Sequence, residues 1–134
     1  MTGSKIKVLV SDDHQLVRKS ICFFIEKQQD MQIVGEASDG EMTIQMVKKF
    51  NPDVVLMDIS MPKCNGIQAT KQIMKENPNT KVIALSVHSA EQYVYAMLGA
   101  GARDYIVKDH SLFMTLAKVI RAVFKNKKSQ KIPN

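Results

Sequence analysis

Residues 53–57, Asp-Val-Val-Leu-Met, constrain the fold more than any other stretch of the chain. Four consecutive apolar residues leave no polar face for a half-exposed strand. Such a run suits the centre of a parallel sheet that is covered on both sides. Asn51-Pro52 breaks any helix before it, and Pro62, Asn65 and Gly66 make residues 58–66 a loop after it. Similar short apolar runs occur at 6–11, 31–36, 82–86 and 104–107. Amphipathic stretches alternate with them. Residues 15–28 place Val17, Ile21, Phe24 and Ile25 on one helical stripe. Ser38 or Asp39 caps a helix with Met46, Val47 and Phe50 inside. A helix over 67–76 buries Ile67, Thr70 and Met74, and the last carries Leu112, Leu116, Val119, Ile120 and Val123. Ser89 with Gln92 is expected to form a capping box, and Gly99–Gly101 to end that helix. Five strands alternating with five helices predict an α/β, doubly wound (βα)5 parallel sheet in the order 2-1-3-4-5 with right-handed crossovers.

A length of 134 residues suits one domain, and 45% hydrophobic with 24% charged residues argues against disorder. The net charge of +6 is uneven, because residues 125–134 hold four lysines and no acid. We expect residues 1–124 to form the domain and 125–134 to be a basic tail or the start of a linker. A solvated helix end explains those lysines better than a nucleic-acid surface, since no aromatic residue interleaves with them. No apolar run approaches the roughly 20 residues of a membrane span. The start, MTGSKIKVLV, lacks the apolar core of a signal peptide. A cytoplasmic protein is expected. Cys22 falls in an apolar helical stretch and Cys64 in a loop; neither has zinc-site spacing, and no disulfide is expected.

Function in such a sheet gathers at the carboxyl ends of the strands, near the switch point between strands one and three. Strand one ends in Asp12-Asp13, strand three in Asp58, strand four in Ser86, and strand five runs into Lys108. Converging carboxylates repel each other, and a divalent cation relieves the repulsion. An all-oxygen site beside a phosphate suits Mg²⁺ (or Mn²⁺). Lys108 can meet a phosphate oxygen as a point charge, and Ser86 can donate a hydrogen bond. The set reads as a phosphoryl-transfer site whose acceptor can be a carboxylate itself. Singly, each residue has a plainer reading: Asp13 alone could cap the following helix, and Lys108 could be a surface charge. The combination is what points to chemistry.

These residues resemble the receiver domain of two-component response regulators, a flavodoxin-like fold. The likeness runs over roughly residues 5–124, on Val-Ser-Asp-Asp-His (10–14), Pro-Asp-Val-Val-Leu-Met-Asp-Ile-Ser-Met-Pro (52–62), Asn65-Gly66, Leu-Ser-Val (85–87) and Gly-Ala-Arg-Asp-Tyr-Ile-Val-Lys-Asp (101–109). The Asp-Asp-His and Val-Lys-Asp forms look closest to the NarL/FixJ subfamily, whose members usually add a DNA-binding helix-turn-helix domain. The resemblance implies that Asp58 is the phosphoacceptor and that Asp12, Asp13, Asp58 and the Ser60 carbonyl hold the metal, with Asp13 a direct ligand. It makes Lys108 the phosphoryl contact, Ser86 and Tyr105 the switch pair, and Ser60 and His88 the residues that tune phosphoryl lifetime. The donor would be a sensor histidine kinase, and the protein a phosphoacceptor switch rather than a turnover enzyme. A phosphorylation-dependent homodimer is compatible and no membrane partner is expected; the output is either transcription, with DNA reached only through an effector domain absent from this sequence, or protein–protein interaction by a stand-alone receiver. Asp109 stands where receivers often carry a cis proline, which puts the geometry after Lys108 in question.

Three rivals compete. An aspartate-nucleophile phosphatase of the haloacid dehalogenase type needs a second Asp two residues past the first, and Ser60 is there instead. A cofactor-binding module wants a phosphate cradle after strand one, where Asp12-Asp13 would repel phosphate. A receiver-like interaction module without phosphorylation would not need the intact acidic set.

Overall fold

A computed structural model of the chain describes residues 4–126. Residues 127–134, most of the basic tail, lie outside the described residues. The elements follow in strict alternation: β1 Ile6–Ser11, α1 Gln15–Glu26, β2 Met31–Ala37, α2 Gly40–Phe50, β3 Val54–Asp58, α3 Gly66–Glu76, β4 Lys81–Ser86, α4 Glu91–Ala100, β5 Asp104–Val107 and α5 Leu112–Lys125. They form one parallel sheet in the order β2-β1-β3-β4-β5.

Alternate side chains of each strand point to opposite faces, so the sheet supports two cores. Val8, Val10, Val54, Leu56, Ile83 and Leu85 pack with Ile21 and Ile25 of α1 and with Leu116 and Ile120 of α5. Leu9, Val55, Met57, Val82 and Ala84 pack with Val47, Ala69, Ile73 and Met97 of α2, α3 and α4. The continuous apolar run is thus explained: β3 is the middle strand, and all five of its residues are buried. The β1–β2 register slips between Val8 and Leu9, where Gly35 lies in β2, the kind of irregularity a strand glycine marks.

Local chemistry sets the helix ends. The Asp39 carboxylate accepts from the Met42 N–H at 2.7 Å and caps α2. Asn51 ends that helix in the left-handed conformation at φ 48°, which Asn tolerates better than most residues. Gly101 closes α4 at φ 115°, and a Cβ there would lie 2.5 Å from Met74 Cγ.

Three expectations are corrected. The capping box is not at Ser89 and Gln92, because α4 begins at Glu91 with Ala90 as N-cap and no side-chain cap bond. It occurs instead on α3, where the Gln68 N–H donates to the Asn65 side chain at 2.9 Å and the Asn65 N–H to the Gln68 side chain at 3.0 Å. The buried stripe of α3 is Ala69, Thr70 and Ile73, with Ile67 and Met74 half-buried at its flanks. A small residue faces the sheet so that the helix can approach it. Finally, α1 ends at Glu26 rather than residue 28.

Ile73 is wholly buried in the second core. Ile73→Ala should lower unfolding stability by about 2–5 kcal/mol in urea melts, and Ile67→Ala by clearly less.

Candidate functional site

The sheet register brings the acids together before any side chain is considered. Ser11 pairs with Met57, so Asp12 and Asp58 leave β1 and β3 side by side. Asp58 pairs with Leu85, which puts Ser86 one step further along β4; Ser86 pairs with Val107, directly before Lys108. Four strand ends therefore converge on one edge.

Asp12 and Asp58 are 1% and 5% exposed. Asp12 is held on both sides: one oxygen accepts from the His14 N–H at 2.9 Å, the other from Lys108 Nζ at 2.5 Å. The Arg18 guanidinium donates to the Asp12 carbonyl at 2.8 Å and fixes the backbone there. Lys108 Nζ also lies 3.4 Å from Asp58 Oδ1. One ammonium thus spans two buried carboxylates contributed by different strands. Asp13 is more open and lies 3.2 Å from His14 Nδ1.

One ligand atom from each of Asp12, Asp13, His14 and Asp58 falls within 4.8 Å of the others. The donors at the centre are carboxylate oxygens, which fit a hard divalent cation that keeps part of its water shell. His14 was not picked out as a site residue in the sequence, although it directly follows the acidic pair. Its ring stands on the solvent side and adds a nitrogen at the rim.

Burial pushes the Asp58 carboxyl up to about 6; Lys108 opposes this, while Asp12 and Asp13 add to it. A carboxylate that resists ionisation among other acids is a typical mark of a functional site.

The loop after Asp58 is shaped by close backbone contact. The Gly66 N–H donates to the Ile59 carbonyl at 2.8 Å, and a Cβ on Gly66 would lie 2.0 Å from the Asp58 carbonyl oxygen. Only glycine lets α3 start against the backbone of the buried aspartate. Lys63 and Cys64 have φ of 56° and 110°, a conformation non-glycine residues rarely adopt and one that clusters near functional sites. No peptide bond among the described residues is cis, so the Lys108–Asp109 bond is trans.

The remaining expected residues form a second group beside the acids. Ser86 is buried, and its Oγ accepts from the His88 N–H at 3.0 Å. The Tyr105 hydroxyl donates to the His88 carbonyl at 2.7 Å. Burial pushes the Tyr105 phenol up, and a hydrogen bond with Ser86 pulls it the other way. Ser60 Oγ lies 3.5 Å from His88 Nε2. The imidazole of His88 stacks on Tyr93 of α4, a residue the sequence offered no reason to select.

Residues 8–120 match the family model described as the response regulator receiver domain. The chain is 44% identical over 122 residues to the uncharacterized transcriptional regulatory protein YxjL of Bacillus subtilis, covering 91% of this chain and 56% of that protein. It is 41% identical over 120 residues to the transcriptional regulatory protein LiaR of the same organism, covering 90% and 56%. It therefore spans about half the length of the curated relatives it matches. The response regulator domain of Thermotoga maritima CheB superposes with a TM-score of 0.87 at 34% identity, over 92% of this chain and 99% of that one. The receiver domain of the putative response regulator NarL from Mycobacterium tuberculosis gives 0.85 at 29%, over 92% and 100%.

The raised Asp58 carboxyl has a stability consequence in metal-free protein. Between the ordinary value of 3.8 and about 6, the folded state binds more protons than the unfolded state, so stability falls as pH rises through that window. Asp58→Asn removes this loss. In EDTA at pH 7.5 it should stabilise the protein by about 1–3 kcal/mol. The gain should fade toward pH 4, as followed by thermal melts across pH.

Proposed function

Given that the chain belongs to the response regulator receiver domain family, we propose that Asp58 is its phosphoacceptor and that it takes a phosphoryl group from the phosphohistidine of a sensor histidine kinase. The observation that carries this reading is the Lys108 ammonium spanning Asp12 and Asp58 at the strand ends. In the transfer, an Asp58 carboxylate oxygen bonds to phosphorus as the phosphorus–nitrogen bond of the donor breaks, and the leaving imidazole takes a proton from water. Lys108 faces the developing charge, and the buried setting strengthens that interaction.

Asp12, Asp13, Asp58 and the carbonyl of Ser60 would hold Mg²⁺ or Mn²⁺. When bound, the ion neutralises the carboxylates and the transferring group. The oxygen-rich donor set supports this choice. Asp13, the more open acid, is the direct ligand in this reading, and Asp12 keeps its bond to Lys108.

The output follows from the second group. A new phosphoryl brings negative charge and three acceptor oxygens. The Ser86 hydroxyl turns toward them, and Tyr105 moves into the space behind it, which shifts the population between two surfaces around α4, β5 and α5. Ser60 and His88 tune how long the phosphoryl survives. Residues 1–124 act as the receiver unit. Transcription regulation through a DNA-binding domain is the natural output, since the relatives are transcriptional regulators. Phosphorylation-dependent pairing of two copies is one way to convey the change. A cytoplasmic site of action fits, and no helix of the described residues is long and apolar enough to cross a membrane.

Incubation with a small phosphodonor and Mg²⁺, followed by mass spectrometry, should show one added phosphoryl on the wild type. Asp58→Asn or EDTA should abolish it. Label that persists on Asp58→Asn would overturn the assignment. Lys108→Ala should slow labelling by about tenfold or more. Ser86→Ala should take label but lose the phosphorylation-induced change around Tyr105, measured by NMR shifts of α4 and β5.

A further inference from the structure

We infer that Tyr93 is a positioning residue for the phosphoryl lifetime: its ring holds the His88 imidazole against Ser60, and the His88–Ser60 pair shields the Asp58 phosphoryl group from water. This rests on the reading of Asp58 as phosphoacceptor.

His88 is held at four points. Its backbone N–H donates to Ser86 Oγ at 3.0 Å and its carbonyl accepts from the Tyr105 hydroxyl at 2.7 Å. Its ring lies 3.5 Å from Ser60 Oγ through Nε2 and stacks on Tyr93, with centroids 4.3 Å apart and planes 20° apart. The two backbone anchors are the switch residues. A Ser86 hydroxyl that moves to the phosphoryl oxygens leaves the His88 N–H. That anchor is given up in the phosphorylated state, when protection from water matters. The two ring contacts do not depend on it.

Tyr93 is built to be the lasting anchor. It lies in the first turn of α4, its N–H donates to the Ala90 carbonyl at 3.1 Å, and it packs against the core under α2, α3 and α4. Stacked rings of this kind add to simple burial. The His88–Ser60 contact joins the two loops that follow β3 and β4, which flank the acceptor carboxylate. In hydrolysis, a water oxygen bonds to phosphorus and the bond from phosphorus to the Asp58 oxygen breaks, its electron pair staying on the carboxylate. One water proton remains on the phosphate and the other passes to solvent. A His88 ring that swings free of Tyr93 opens the path of that water.

The test follows loss of label from the whole chain after the phosphodonor and Mg²⁺ labelling above, with the donor removed. Tyr93→Leu should lose phosphoryl about three- to tenfold faster than wild type, while Tyr93→Phe, which keeps the ring, should retain the wild-type rate. His88→Ala should be as fast as Tyr93→Leu, and the double variant no faster than His88→Ala, because Tyr93 acts through His88. A Tyr93→Leu rate equal to or slower than wild type overturns the inference, as do effects that multiply in the double variant. If Tyr93→Leu does not fold, NMR of the wild type decides. The His88 ring protons should be shifted upfield by the Tyr93 ring both before and after phosphorylation, and loss of that shift on phosphorylation overturns the inference. A wild type that takes no label overturns the phosphoacceptor reading and this one with it; labelled wild type with unchanged variant rates overturns this one alone.

Discussion

The ammonium of Lys108 lying between two buried carboxylates is the constraint on which the rest depends. Asp12 and Asp58 sit on adjacent strands with almost no access to water. Two such charges side by side are unfavourable unless something positive joins them. The lysine arrives from the far side of the sheet order, 96 residues away from Asp12 in sequence, and only the β1-β3-β4-β5 arrangement brings it there. The topology is thus as much a part of the site as the residues are. In a different strand order the same acids would stand apart or face solvent.

The lysine compensates incompletely. It lies closer to Asp12, at 2.5 Å, than to Asp58, at 3.4 Å. Asp12 also accepts a second bond, from the His14 N–H. Asp58 remains the carboxylate short of positive charge, with its proton affinity raised by burial. A divalent cation would meet that shortage. Around Asp58 the backbone leaves no slack, since Gly66 brings α3 against its carbonyl. Beside it, Ser86, His88 and Tyr105 are linked to one another by single hydrogen bonds. Under the proposed function, a firmly held acceptor next to a lightly bonded trio suits a switch.

Much of this was legible in the chain before folding was considered. Apolar runs of four to six residues and glycine or proline punctuation are local signals, and they placed all five strands within a residue or two. The cap of α2 was narrowed to Ser38 or Asp39 and the end of α4 to Gly99–Gly101, because caps depend on neighbours in sequence, and the structure selects Asp39 and Gly101. The misses have a common cause. Ser89 has the right residue type for a cap, but α4 begins two residues later, beyond a loop tied down by Ser86 and Tyr105 through His88. The stripe of α3 was centred on the larger residues Ile67 and Met74, whereas the helix lies closest to the sheet at Ala69. Side-chain size indicates how much a residue gains from burial; it does not tell which side of a helix can approach most closely.

By itself, the sequence determined the order and kind of the elements and the identity of the acids, hydroxyls and lysine at the strand ends, because periodicity and turn chemistry act over a few residues. Only the tertiary structure decided how those groups share charge: that Lys108 favours Asp12, that Asp58 is left hard to ionise, that the His14 ring closes the acidic cluster and that Tyr93 lies under His88. These are differences of an ångström or less between groups far apart in the chain. They are set by strand register and by the packing of side chains on two cores, which no local pattern encodes.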